Sequence, residues 1–193
     1  MLSVYAGLRP LVKVGDAKST AALSRDHTIL ISNSGLLTIA GGKWTTYRKM
    51  AQDAVEQAQT MAGFEERPCK TEHLQIHGWT KQKISSPSLR VYGADASAVE
   101  EIAKEGPDLT QKIHPELPYI AAEVVWAVRE EMARTIEDVL ARRTRAILLG
   151  ARASIAAAPP VAALMAKELG RDQKWAEKAV EDYKKVAERY VLQ

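Results

Sequence analysis

The chain has 193 residues, 46% of them hydrophobic and 26% charged, with a formal net charge of +3 at pH 7. Those proportions are ordinary for a folded protein, and the length suits one domain, or one domain with part of another. The charge is too mild to imply a nucleic-acid partner, and no run of about 18 apolar residues exists to span a membrane. Cys69, as the single cysteine, cannot form an internal disulfide, which fits a reducing cytoplasm.

Residues 1 to about 43 read as irregular and β. Pro10 interrupts the first stretch, and Gly15 to Ser19 is a polar loop. His27 to Ile31 is a β-branched strand, Ser32-Asn-Ser-Gly35 a turn and Leu36 to Ala40 a second strand, a hairpin pattern. Two strands bury too little to fold alone and must lean on the helix after them. From Thr45 to Met61 the period turns helical, with Tyr47, Met50, Ala51, Ala54, Val55, Ala58 and Met61 forming an apolar stripe and Gly63 ending it. Residues 64–93 carry scattered Pro, Gly and Ser without a period, and read as a linker between residues 1–63 and residues 94–193.

Beyond the linker the chain is helical. Ser97-Ala-Val-Glu100 has the spacing of a capping box for a helix closed by Gly106-Pro107. Pro118 suits the first turn of a helix running to Met132, and Thr135 can cap a short helix carrying Ile136, Val139 and Leu140. Ala153 to Leu169 is helical, interrupted or bent at Pro159-Pro160 and stopped by Gly170; Asp172 can cap a last helix to about Val191. The fold expected is mainly α: a C-terminal helical bundle preceded by a short β-hairpin and a helix.

The chemistry concentrates where the second strand meets the first long helix, at Gly41-Gly-Lys-Trp-Thr-Thr46. Glycines there let backbone amides approach a ligand, and a helix start favours negative charge. Three cations, Arg9, Arg25 and Lys43, sit on separate loops from which they could converge on a phosphate ester. Any one of them could equally be a solvated surface charge. Cys69, His73 and His77 are spaced four apart, but without closer cysteine pairs or a fourth ligand they do not read as a metal site. The run Arg142-Arg-Thr-Arg145, with Arg129 and Arg134 upstream, is interleaved with Glu123, Glu130, Glu131, Glu137 and Asp138, which favours intramolecular ion pairs over an external polyanion.

Tyr5-Ala-Gly-Leu-Arg-Pro-Leu11, Ser24-Arg-Asp-His27, Gly41-Gly-Lys-Trp-Thr-Thr-Tyr-Arg48 and Glu130-Glu-Met-Ala-Arg-Thr-Ile-Glu-Asp-Val-Leu-Ala-Arg-Arg-Thr-Arg145 occur in that order. Together they resemble the C-terminal part of the FAD-dependent, aerobic-type glycerol-3-phosphate dehydrogenases over nearly the whole chain. The resemblance implies that Arg9, Arg25 and Lys43 line a substrate pocket, and that Gly41, Gly42, Trp44, Thr45 and Thr46 face the polar edge of the flavin. It implies oxidation of sn-glycerol 3-phosphate to dihydroxyacetone phosphate, with electrons passed to a quinone, or to oxygen in related oxidases. It also implies a cytoplasmic enzyme in peripheral contact with the inner face of the membrane, and is compatible with a homo-oligomer.

Such a flavoprotein resembles a Rossmann protein in opening with a Gly-x-Gly-x-x-Gly turn, and that pattern is absent from these 193 residues. The expectation is therefore a fragment that neither binds FAD tightly nor turns over substrate alone. The residue that takes the proton from the substrate hydroxyl is not identified; His27, at a strand start, reads as structural. A reading of another class treats residues 94–193 as a module that docks a partner or a membrane surface.

Overall fold

The computed structural model describes residues 1–8, 12 and 26–192. The chain is mainly α, with one two-stranded sheet among the described residues. It divides into two compact units, Gly7–Ile76 and Met1–Ala6 together with His77–Gln193.

In the first unit, β1 (His27–Ile31) pairs antiparallel with β2 (Leu37–Gly41), His27 opposite Gly41 and Ile31 opposite Leu37. Ser32 closes the turn: its carbonyl accepts from Gly35 N–H, and its hydroxyl accepts from Leu36 N–H. A 3-10 turn, Trp44–Thr46, leads into α1 (Tyr47–Ala62), which ends on Gly63 in the left-handed region. Phe64 N–H then bonds back to Gln59, completing the helix end. No described residue from 26 to 76 is buried, and Val55 and Phe64 are 57% and 70% exposed. Of the apolar stripe read for α1, Met50, Ala54 and Met61 are more than half covered.

The second unit holds the core. A 3-10 segment (Ser88–Asp95) runs into α2 (Ala96–Lys104), followed by α3 (Ala121–Arg129), a π-helical segment (Asp138–Arg143), α4 (Ala146–Leu149), α5 (Ala151–Leu169) and α6 (Gln173–Ala187). Helix α3 is its axis. Val124, Ala127 and Val128 pack into a large apolar cluster with Leu117, Leu140 and Met165, while Ala122 and Val125 join a smaller one with Leu89, Val99 and Ile102. A helix apolar on nearly every side must be enclosed, and α3 is.

Several local expectations change. The linker read over residues 64–93 is not uniform: the units divide between Ile76 and His77, and Leu89 is a core residue of the helical unit. Residues 1–6 also belong to that unit, tied by Ala151 N–H to Leu2 O (2.9 Å) and Val4 N–H to Tyr190 O (2.9 Å). The capping box at Ser97 does not form, because the preceding 3-10 segment already supplies the turn and Ser97 bonds to Ala94 O. Helix α5 runs continuously through Pro159 and Pro160, both exposed. Only two N–H donors are lost there, and Ala157, Ala158, Val161 and Ala162 hold the helix through its buried face. Thr135 does cap as expected, exchanging hydrogen bonds with Asp138, and Asp172 accepts from Trp175 N–H (2.8 Å).

Arg129 closes this unit with two forks, one on Glu105 (2.8 and 3.1 Å) and one on Glu168 (2.7 and 3.1 Å). Paired bonds hold geometry that single exposed ion pairs do not. Arg129→Met is expected to lower the melting temperature, and the deficit against wild type should shrink as salt is raised from low to molar concentration. Calorimetry at both ionic strengths checks this; a deficit unaffected by salt would assign Arg129 to packing alone.

Candidate functional site

The six residues singled out between β2 and α1 form one continuous turn. Gly41 and Gly42 have φ of +79° and +81°, a region where only glycine is unstrained. A Cβ on Gly41 would meet Asp26 O at 2.9 Å, and one on Gly42 would collide with the Met50 thioether and approach His27 Cβ at 3.3 Å. The sequence assigned these glycines to a ligand's approach, yet the chain's own packing already requires them. Lys43 comes next, in extended backbone. Thr46 then locks the entry: its N–H and hydroxyl both donate to Lys43 O (3.0 Å each), and Lys43 N–H donates to its Oγ1 (3.3 Å). The lock is Thr46 rather than Thr45, because the 3-10 turn brings residues three apart into register.

Beneath the turn, His27 Nε2 meets Asp53 Oδ2 at 2.9 Å and Lys49 Nζ meets Asp53 Oδ1 at 2.6 Å. The hydrogen bond from Lys49 outweighs the cost of burial and, with a smaller contribution from His27, holds the Asp53 carboxyl below its ordinary range. This trio ties the start of β1 to α1 and so fixes the angle at which the turn is presented. Sequence reading left His27 as structural and missed Asp53 altogether. The i, i+4 spacing of Lys49 and Asp53 was legible, but their meeting with His27 required the fold.

Several groups remain available at the surface of this turn. Lys43 makes no ion pair among the described residues. The N–H groups of Trp44 and Thr45 lie in the first helical turn, where no intrahelical acceptor exists. The Trp44 ring is 86% exposed and stacks on Tyr47 at 5.6 Å between centroids. A cation, free donors and an aromatic face make a surface for a polar, electron-rich group. Arg9 and Arg25 lie outside the described residues, so their convergence with Lys43 stays an expectation. No three metal-ligating side chains gather among the described residues, and His77 bonds to Asp95.

Residues 34–176 match the family model described as the C-terminal domain of alpha-glycerophosphate oxidase. The chain belongs to that family. Members of related sequence include a Caenorhabditis elegans protein named "Probable glycerol-3-phosphate dehydrogenase, mitochondrial", 38% identical over 88% of this chain and 26% of its own length. The mitochondrial glycerol-3-phosphate dehydrogenases of Rattus norvegicus and Homo sapiens are 33% and 34% identical, over 99% and 96% of this chain. The chain thus spans little more than a quarter of the length of these relatives. The family match begins at Ser34, within the hairpin turn, and runs into α6, so it includes both the glycine–lysine turn and the enclosed helix α3. Among the described residues, no helix is long and apolar enough to cross a membrane.

Proposed function

We propose that this C-terminal domain serves an FAD-dependent glycerol-3-phosphate dehydrogenase, which oxidises sn-glycerol 3-phosphate to dihydroxyacetone phosphate and passes electrons to a quinone. The observation that carries the reading is Lys43: a cation without an acidic partner among the described residues, presented by a rigid Gly-Gly turn in a member of this family. In this reading Lys43, with Arg9 and Arg25, holds the phosphate of the substrate. Lysine contributes a point charge and the arginines contribute forks, which orient the carbon skeleton as well as bind it.

The residues present fit FAD as one wall of its site. The first-turn amides of Trp44 and Thr45, with Gly41, Gly42 and Thr46 shaping the turn, offer donors to the polar edge of the ring, and among the described residues no carboxylate is hydrogen-bonded to them. When bound, FAD supplies the two-electron acceptor for oxidation at C2. The helix start favours negative charge on the ring, and the Trp44–Tyr47 stack offers it an aromatic face. His27 is committed to Asp53 and takes no proton in this scheme.

These residues form an open wall, since nothing described from 26 to 76 is buried. The 193-residue chain alone is accordingly expected to be colourless and inactive, with the remaining walls contributed by an FAD-binding domain. In this reading, contact with the quinone holds the enzyme peripherally at a membrane surface.

Lys43→Ala in the full-length enzyme tests the substrate role. A charge-assisted hydrogen bond is worth about 1.5–3 kcal/mol, so KM for glycerol 3-phosphate should rise roughly ten- to a hundredfold with flavin content unchanged. An unchanged KM would remove Lys43 from the phosphate site.

A further inference from the structure

The helical unit contains a cavity of about 240 Å3 whose polar groups have no part in the scheme above. Tyr92, Tyr119, Glu123, Arg143, Arg145 and Leu149 are among the residues that line it. Glu123 is fully buried on α3, its Oε1 accepting from the Tyr92 hydroxyl (3.1 Å) and its Oε2 from Ile120 N–H (2.7 Å). With no exposed surface, the Glu123 carboxyl acts on the cavity through its charge and through Tyr92. The Tyr119 hydroxyl makes no hydrogen bond among the described residues.

Arg145 differs from its neighbours in the basic run. Arg142 is paired with Glu137 (2.7 Å) and Asp138 (3.1 Å), and Arg143 with Asp138 and the Glu131 carbonyl. Arg145 makes no ion pair among the described residues and is exposed. It is also held at φ 57°, ψ 25°, a conformation that costs a non-glycine residue about 1 kcal/mol or more. Its charge acts on Tyr119, opposing the upward push that burial and Glu123 give the phenol.

We propose that this cavity is a binding site for a small hydroxylated anion, with Arg145 gripping the phosphate or carboxylate and Tyr119 engaging a hydroxyl. The volume is below the roughly 300–1,000 Å3 typical of sites for larger ligands, which restricts the occupant to a few heavy atoms. A bare anion meets Arg145 favourably but is repelled by Glu123 deeper in. A hydroxyl accepts from Tyr119, which an ammonium cannot do. Arginine recognises either acid through the same paired geometry.

The site is separable from the proposed Lys43 site. The test labels the tyrosine rings of the full 193-residue chain with 13C and assigns Tyr92 and Tyr119 by Phe replacement. Glycerol 3-phosphate and glycerate distinguish the two acids, with inorganic phosphate and glycerol as controls. At least one hydroxylated anion should shift both rings saturably. Arg145→Gly, which relieves the left-handed backbone, should remain helical by circular dichroism and bind about tenfold more weakly or worse, equivalent to about 1.4 kcal/mol. Arg145→Asn, also tolerant of that backbone, should repeat the loss, and Lys43→Ala should leave the shifts unchanged. The proposal is overturned if neither hydroxylated anion shifts the rings, if the folded glycine or asparagine variant keeps full affinity, or if inorganic phosphate binds as tightly as both.

Discussion

Gly93→Ala is expected to cost about 4 kcal/mol, combining roughly 1–3 kcal/mol of backbone strain with roughly 1–3 of overpacking. Gly93 has φ 59° and ψ −127°, a conformation open in practice only to glycine. An added Cβ would overlap the Gly78 carbonyl oxygen and stand 2.8 Å from its carbon. The obstacle is backbone, and that backbone is held in place: Ala94 N–H donates to the same Gly78 oxygen at 2.7 Å. No side chain can rotate away. The 3-10 segment would have to withdraw, taking Leu89 from the smaller apolar cluster. Urea and thermal unfolding monitored by circular dichroism should show a melting temperature lower by about 10 °C, at a few degrees per kcal/mol for a chain of this size. Gly106 supplies the control. It lies in extended backbone, a Cβ there meets nothing within 4 Å, and Gly106→Ala should be neutral or slightly stabilising. A wild-type melting curve for Gly93→Ala would refute the close approach of these two backbones.

Glu123→Gln should change the pH dependence of stability. Burial pushes the Glu123 carboxyl up to about 7, with hydrogen bonds from Ile120 N–H and the Tyr92 hydroxyl opposing the shift. The folded state therefore holds this proton more tightly than the unfolded chain does. Its contribution is fully present below the unfolded value of 4.5, falls as pH rises, and is gone above about 7. The swing is about 3 kcal/mol, since each pKa unit is worth about 1.4 kcal/mol. Glutamine keeps both partners, its oxygen accepting from Ile120 N–H and its amide donating to the Tyr92 oxygen. The variant should match wild type near pH 4.5 and exceed it by up to about 3 kcal/mol at pH 8. Asp138, whose carboxyl is lowered by hydrogen bonds from Arg134 and Thr135 despite burial, loses stability at lower pH in both proteins and cancels from the difference. Urea titrations between pH 4.5 and 8 that gave parallel curves would show that Glu123 is not buried as described.

The two residues illustrate what a sequence conceals. Gly93 is one glycine in an irregular stretch, and nothing near it announces that Gly78 must pass against it. Glu123 sits in the apolar run Tyr119 to Val128, and its spacing reads as that of an acid paired with the basic residues after it. Only the enclosure of α3 by two clusters turns it into a buried carboxyl. The Gly41-Gly42 turn shows the converse. Its place between strand and helix was legible, yet the reason for glycine there, Met50 and Asp26 pressing on the backbone, was not.

By itself the sequence determined the mainly helical class, the hairpin at residues 27–41, the helix stops at Gly63 and Gly170, the caps at Thr135 and Asp172, and the family. Those arise from short-range periodicity, from the backbone freedom of single residues and from contiguous motifs, all of which survive in one dimension. Tertiary structure alone decided that α5 would continue through two prolines, that residues 1–6 would join the helical unit, and that Arg142 and Arg143 would pair with acids while Arg145 makes no ion pair among the described residues. Each depends on which distant side chains share a face. Burial and charge pairing are sums over neighbours in space, and spacing along the chain does not carry them.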